Sequence, residues 1–164
     1  MAYRKPQLFF LVLLRLFIGW HFLYEGLIKL FNPVWTARGY LQSAEGALAP
    51  LFQWLGSDAL LPVSNSLTIG ALLFIGLSLV LGILERAGCW AGVGLLAFFY
   101  LSHPAWPGLP NAGPSEGNYF IIDKNLVELA ALGVLAYFPT SHLIGLAAFW
   151  RKPGLHKAKR NYSA

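Results

Sequence analysis

Apolar residues run almost unbroken from Leu8 to Phe31. A helix from Pro6 to Phe31 would be about 39 Å long at about 1.5 Å per residue, enough to cross the bilayer core of about 30 Å. Four ionisable residues interrupt the run: Arg15, His21, Glu25 and Lys29. A charged side chain at the centre of a membrane helix costs about 2.5 to 3.5 kcal/mol. We therefore expect these four side chains to face protein, water or one another.

The spacing of these residues predicts that they share one side of the helix. At about 100° per residue, an arc of about 120° holds Arg15, His21, Phe22, Glu25 and Lys29. Gly19 and Gly26 border this arc, where a neighbouring helix could approach closely. For Arg15 and Glu25 the pattern fits either a structural ion pair or a functional site. Lys29, at the helix end, could instead extend its amine to the membrane surface.

Further apolar segments predict three more helices, at about 67–84, 88–102 and 119–138. We expect Ser64–Ser66 to cap the first of these. The charged residues of 85–88 are typical of a tight turn before the next helix. Between the first two long helices, apolar residues from Leu48 to Leu55 recur at helical spacing. They predict a short amphipathic helix on the membrane surface, with simple packing as the alternative.

The fourth helix carries a polar group within its apolar body. Glu128 lies three residues after Asn125 and four after Lys124, so local partners share its face. Glu128 is the acidic residue that we expect to meet the polar side of the first helix. Specifically, we expect Arg15, Glu25 or Lys29 to contact Glu128 or Asn125.

Composition and charge place the chain in the membrane class. Of its 164 residues, 57% are hydrophobic and 12% are charged, whereas soluble domains have about 25% charged residues. We expect one domain, 1–164, with the fold class all-α: an integral membrane four-helix bundle. The net charge of +5 does not indicate nucleic-acid binding, because most Lys and Arg cluster at Arg4, Lys5 and Arg86 and in the basic tail, 151–164. The positive-inside rule then predicts cytoplasmic N and C termini and two long outer loops.

Cys89 is the only cysteine. The sequence therefore has no motif for a cysteine-bound metal, a c-type haem or a redox disulfide. Gly92 begins a loose match to a dinucleotide-binding pattern, but it falls inside an apolar helix with no strand before it, and we reject it.

Two series of residues resemble the DoxX/DoxD family. The first is Arg15, Gly19, Trp20, Phe22, Gly26, Lys29 and Asn32–Pro33, and the second is Asp123, Lys124, Asn125 and Glu128. The family comprises small four-helix membrane proteins. One branch is similar to the membrane subunit of thiosulfate:quinone oxidoreductase, which works with a small second subunit. The resemblance implies a multi-pass protein of the prokaryotic cytoplasmic (inner) membrane. Arg15, Lys29, Asn125 and Glu128 carry over as motif positions only.

Two functions fit these observations. The first is a quinone-linked oxidoreductase subunit, with quinone as electron acceptor and thiosulfate or a related sulfur oxyanion as donor at the outer face. Catalytic proton donors would be Glu25, Glu128 and His21, and the walls of the quinone slot would be Trp20 and Tyr24. Substrate-binding candidates are Arg15, Lys29, Arg38, Lys124, Asn125 and His103. The second is a non-catalytic accessory or assembly subunit of a larger membrane complex. In either case we expect the bilayer and a second small subunit or further copies as partners.

Overall fold

A computed structural model describes residues 3–106, 109, 118–119 and 121–150. The described chain is mostly helical, with elements in the following order: α1 Lys5–Phe31, α2 Arg38–Gln42, α3 Ala49–Leu55, α4 Leu61–Leu81, α5 Glu85–Ser102, β1 Asn118–Tyr119, β2 Ile122–Asp123, α6 Lys124–Tyr137 and α7 Ala147–Trp150. The two strands pair antiparallel over two residues each. The predicted basic tail and most of the second long outer loop lie outside the described residues.

The four longer helices pack side by side in the order α1, α4, α5, α6, and α6 returns to touch α1. Their inward faces share one apolar core, formed by residues such as Ile75, Leu79 and Leu132, none of which is exposed. The shorter α2 and α3 pack on each other. Their own apolar cluster includes Phe52 and reaches Phe98 of α5, so they cover one end of the bundle.

Glycine brings α1 and α4 into close contact. A Cβ atom at Gly76 would lie 2.5 Å from the backbone nitrogen of Leu23, and one at Gly19 would lie 2.8 Å from Cβ of Leu79. Helix backbones at this separation leave no room for a side chain at either glycine. Gly26 similarly abuts Leu73. The expected close approach beside Gly19 and Gly26 is thus confirmed.

The outward faces of the long helices are apolar. Among the described residues, α1 and α4 are long and apolar enough to cross a membrane. Only 22% and 28% of their most apolar segments are buried inside the molecule, unlike the central helix of a soluble protein. Large exposed side chains occur along all four helices, as in Phe17, Phe74, Trp90 and Val134.

Helix α4 begins earlier than the sequence indicated. It begins at Leu61 with a proline in its first turn, so Ser64–Ser66 lie inside the helix and do not cap it. The hydroxyl of Ser66 instead donates to the carbonyl of Pro62 at 2.9 Å. Serine can satisfy its hydroxyl inside a helix in this way, and this option makes it an ambiguous boundary signal.

The predicted charged turn at 85–88 is also wrong. The chain turns at Gly82–Leu84, where Gly82 has a φ of 66°, a conformation that favours glycine. Glu85 and Arg86 already belong to α5.

Helix α6 begins at Lys124 rather than near Tyr119. The Asp123 carboxylate caps it by accepting a hydrogen bond from the backbone N–H of Leu126 at 2.9 Å. The predicted short helix in the first connection is confirmed as α3, with Phe52 buried.

Candidate functional site

A cavity of about 410 Å³ lies where the short helix α2 packs against the four long helices. Its walls come from α1, α4, α5, α6 and the segment before α2. They are formed by His21, Phe22, Glu25, Lys29, Trp35, Thr36, Ala37, Tyr40, Leu41, Thr68, Leu72, Leu96, Phe98, Phe99, Lys124, Asn125 and Glu128. Most of this surface is apolar or aromatic, and the charged groups come from α1 and α6. Small-molecule sites commonly have this composition and a volume of about 300 to 1,000 Å³.

His21 and Glu128 link α1 to α6 at the edge of this cavity. Nδ1 of His21 lies 2.8 Å from Oε1 of Glu128, so the two groups share one proton in a hydrogen bond. The side chain of His21 is 56% exposed and that of Glu128 is 18% exposed. His21 therefore lies largely at the protein surface, whereas Glu128 is largely buried.

Glu25 and Lys29 form a second pair on the same side of α1. Their side chains hydrogen-bond across one helical turn, as the spacing of four residues allows. The amine of Lys29 also lies 5.7 Å from the ring centroid of Trp35, within reach of a cation–π contact. Both pairs line the same cavity, so proton-carrying groups of α1 and α6 converge there.

The expected contacts of Arg15, Glu25 and Lys29 with α6 are wrong. Glu25 and Lys29 bond to each other, and the partner of Glu128 is His21. Helices α1 and α6 do meet through polar side chains, but the residue of α1 that makes the contact is His21. The side chains of Glu25 and Lys29 satisfy each other within α1, which leaves Glu128 to the imidazole.

Asn125 and Lys124 line the cavity from the first turn of α6. The Asn125 amide donates to the Asp123 carboxylate at 2.8 Å, so it steadies the helix cap. Lys124 is exposed and makes no ion pair within the described part of the chain. Its amine is the cation least compensated by a neighbour in this cavity.

Tyr40 supplies a phenol that the sequence analysis did not select. Its hydroxyl donates to the carbonyl of Phe99 at 3.1 Å and accepts from the hydroxyl of Ser102 at 2.6 Å. Removal from water raises the pKa of Tyr40, an effect that the hydrogen bond from Ser102 partly offsets. His103, expected to bind substrate, does not line the cavity but lies behind Tyr40, with ring centroids 4.5 Å apart.

Arg15 belongs to a separate, buried cluster. It donates to the hydroxyl of Thr140 at 2.8 Å and lies 3.8 Å from the Glu85 carboxylate. Glu85 also accepts hydrogen bonds from the backbone N–H groups of Thr140 and Ser141, at 2.8 and 2.6 Å. Arg15 therefore holds the segment after α6 in place. It does not line the cavity, so its expected role in substrate binding stays a prediction without a contact at this site.

Three other expected site residues also lie outside the cavity. Trp20 and Tyr24 stack on each other with ring centroids 6.2 Å apart on the exposed face of α1. Trp20 and Tyr24 do not form the walls of the cavity, because they lie on a different side of α1 from Glu25. Trp35, Phe98 and Phe99 take that place. Arg38 pairs with Asp58 at the surface.

The missed residues had weak signals in the sequence. Tyr40 lies in a connection rich in aromatic residues, and Glu85 is an acidic residue at the end of an apolar helix. Neither pattern predicts a hydrogen-bond partner, because Ser102 approaches Tyr40 and Thr140 approaches Glu85 only when the helices pack. Within the described residues, no three His, Cys, Asp or Glu side chains could together hold a metal ion.

Comparison with known proteins adds no relative: no family model, curated protein or solved structure matches the chain.

Proposed function

We propose that this protein is a membrane subunit of a quinone-linked oxidoreductase, folded as a four-helix membrane bundle. Apolar exposed faces on all four long helices support the membrane setting, because such surface is disfavoured in water. Helices α5 and α6, of 18 and 14 residues, are about 27 and 21 Å long. They would cross most of the bilayer, with α2 and α3 covering the outer end.

The His21–Glu128 pair carries the proposal. It lies where α1 meets α6, next to exposed apolar side chains such as Phe17 and Ile28. A lipid-soluble ligand could reach the cavity from the bilayer at this junction. Aromatic walls formed by Trp35, Phe98 and Phe99 suit a flat ring.

The residues present fit a quinone headgroup by size, by aromatic lining and by their proton donors. A bound quinone would accept two electrons and two protons to become a quinol. Glu128 and His21 hold a proton between Oε1 and Nδ1, and can release it to an oxygen in the cavity. Lys29 lies on the same wall, with its charge compensated by Glu25.

The electron donor is proposed from the DoxX/DoxD resemblance: thiosulfate or a related sulfur oxyanion at the outer face. Lys124 supports this choice, since it lies exposed at the cavity margin. Lys29 contributes less, because Glu25 compensates its charge. Arg38 is compensated by Asp58.

Glu128→Gln tests the proposal. Glutamine keeps the size of the side chain and can hydrogen-bond to His21, but it cannot exchange a proton. We expect quinone reduction to fall about 100-fold or more, in line with the usual contribution of a general acid. The measurement is thiosulfate-dependent reduction of a short-tailed ubiquinone analogue by the full chain, purified in mild detergent with whatever polypeptide accompanies it.

Asp58→Asn is the matched control, because it makes the same acid-to-amide change in a surface ion pair. It leaves the cavity intact, so its binding of the quinone analogue and its kcat at saturating thiosulfate should match those of the wild type. Binding of the analogue is followed by quenching of tryptophan fluorescence, with Trp35→Phe identifying the signal from the cavity. Unchanged turnover in Glu128→Gln would contradict the proton-donating role.

The alternative is an accessory subunit without chemistry of its own. The buried Arg15–Glu85–Thr140 cluster favours it in one respect, since those charges serve helix assembly alone. A wild-type complex that assembles stably but neither binds nor reduces the quinone analogue would establish this alternative over the oxidoreductase.

A further inference from the structure

A chain of hydrogen bonds leads from the cavity to the outer end of the bundle. Starting inside, the Ser102 hydroxyl has two acceptors within reach, the Tyr40 hydroxyl at 2.6 Å and the Phe99 carbonyl at 2.8 Å, and the shorter contact is the one to Tyr40. Nδ1 of His103 lies 3.0 Å from the Ser102 hydroxyl oxygen, and Nε2 lies 3.0 Å from the hydroxyl of Ser43. Ser102 is fully buried and His103 is half-buried, whereas Ser43 is exposed and Tyr40 is 40% exposed. The chain therefore runs from a wall of the cavity to water.

All of these bonds can point the same way. In this arrangement His103 has its hydrogen on Nδ1, and the Ser43 hydroxyl donates to Nε2 at 3.0 Å rather than to the Tyr40 carbonyl at 3.2 Å. His103 then donates to Ser102, Ser102 donates to Tyr40, and Tyr40 donates to the carbonyl of Phe99. Tyr40 itself lines the cavity, so the last donor in the chain lies at the cavity wall. This direction is the one that carries a proton inward, because each group donates to the next and accepts from the one before.

We propose that Tyr40, Ser102 and His103 form a proton relay from the outer aqueous side to the ligand in the cavity, separate from the His21–Glu128 pair. The inference rests on the proposed function and extends it: quinone reduction needs two protons, and the relay supplies one of them. Tyr40 passes its hydroxyl proton to a ligand oxygen, Ser102 restores it, and His103 restores Ser102. Water delivers a proton to Nε2 of His103 by way of Ser43, and the half-buried ring returns to its Nδ1–H form by exchanging protons with water. One proton thus enters for each one that leaves.

The surroundings of the relay are suited to this task. The rings of Tyr40 and Phe99 meet edge to face, with centroids 5.6 Å apart, which holds the phenol against α5. Partial burial raises the pKa of Tyr40, and the Asp123 carboxylate that caps α6 acts in the same direction. Tyr40 thus keeps its proton at neutral pH until an acceptor arrives. Within the described residues, the titratable groups around Tyr40 are His103 and Asp123 and those that share the cavity with it: His21, Glu25, Lys29, Lys124 and Glu128.

Three substitutions break the relay at successive points: Tyr40→Phe, Ser102→Ala and His103→Gln. In the full complex, each should lower quinone reduction at least about tenfold while leaving the affinity for the quinone analogue unchanged. Added imidazole should restore His103→Gln in part, because this position is half-buried and open to water. Tyr137→Phe is the control, since Tyr137 is an exposed phenol of α6 that packs on Trp90.

A second measurement does not depend on turnover. Ultraviolet difference titration against Tyr40→Phe isolates the ionisation of Tyr40, whose pKa should lie above that of a free tyrosine. Ser102→Ala should raise it further, because the bond from Ser102 favours the phenolate. Nitrogen NMR of His103 should show the hydrogen on Nδ1.

The two proposals fail in distinguishable ways. Wild-type binding and turnover that persist unchanged in all three variants would overturn the relay and leave the oxidoreductase intact. Absence of quinone binding and turnover in the wild-type complex would overturn both. If Ser102→Ala lowers the thermal midpoint and cannot be compared, His103→Gln with imidazole still decides the matter, because it lies outside the buried core.

Discussion

Two ion pairs in this molecule have similar chemistry and very different surroundings. Arg15 and Glu85 are each 2% exposed, and the carboxylate also holds two backbone N–H groups of the segment after α6. Arg38 and Asp58 pair at the surface, with 44% and 88% of their side chains exposed. Water screens the charges of Arg38 and Asp58. Arg15 and Glu85 are shielded from water, so neither charge could be solvated if its partner were removed.

Glu85→Gln should therefore destabilise the protein by about 3 to 5 kcal/mol, as removal of one partner from a buried pair usually does. The glutamine offers one acceptor oxygen where the carboxylate offers two, and it leaves Arg15 without a counter-ion. Asp58→Asn, with the same chemical change, should cost less than about 1 kcal/mol. Thermal unfolding of both variants in the same detergent checks the contrast. Equal midpoints would show that the buried cluster does not hold the fold.

The packing of α1 against α4 depends on glycine rather than on large apolar side chains. Gly19, Gly26 and Gly76 each lie against the backbone or Cβ region of the opposite helix. In the proposed membrane setting, lipid is as apolar as a leucine side chain, so contact between helices would have to come from close packing. The wide glycine faces of α1 and α4 supply it.

Gly76→Ala should lower stability by about 1 to 3 kcal/mol, the usual cost of overpacking a close contact. Its new methyl group would lie 2.5 Å from the backbone nitrogen of Leu23, which cannot move without the helix. Gly70→Ala on the same helix meets nothing within 4 Å and should be neutral or stabilising by up to about 1 kcal/mol. The pair is compared by thermal unfolding. A Gly76→Ala variant as stable as Gly70→Ala would mean that the helices lie further apart than described.

The proposed orientation of the whole bundle places α2 and α3 outside the cell membrane and the turn between α4 and α5 inside. Native Cys89 cannot report this, because its side chain is fully buried. Because Cys89 should not react with a thiol reagent, a newly introduced cysteine would be the single reactive thiol of the chain.

Ala47→Cys and Ala87→Cys place that thiol at opposite ends, both at exposed positions. In right-side-out vesicles an impermeant thiol reagent should label Ala47→Cys, and should label Ala87→Cys only after permeabilisation. The physical reason is the cluster of Arg4, Lys5 and Arg86 at the second end. The reverse labelling pattern would invert the orientation and place the cavity on the cytoplasmic side.

The sequence alone was enough for the properties that depend on local pattern. The long apolar run of α1, the short helix before α4 and the burial of Arg15 follow from hydrophobic spacing and from the cost of charge in an apolar setting. The close approach at Gly19 and Gly26 follows in the same way, since a small residue on a polar-faced helix favours a near neighbour. Each of these inferences depends only on the spacing of residues within a single helix.

Pairing between distant residues needed the folded chain. Arg15 bonds to Thr140, 125 residues away, and His21 to Glu128, 107 residues away. Periodicity assigns each of them to a side of a helix but does not choose between Glu25 and His21 as the partner of Glu128. That choice depends on the depth and rotation at which α1 and α6 meet, and on Lys29 having already taken Glu25. Tyr40 and His103 show the same limit, because only the packing of α2 on α5 brings their phenol and imidazole into one chain of hydrogen bonds.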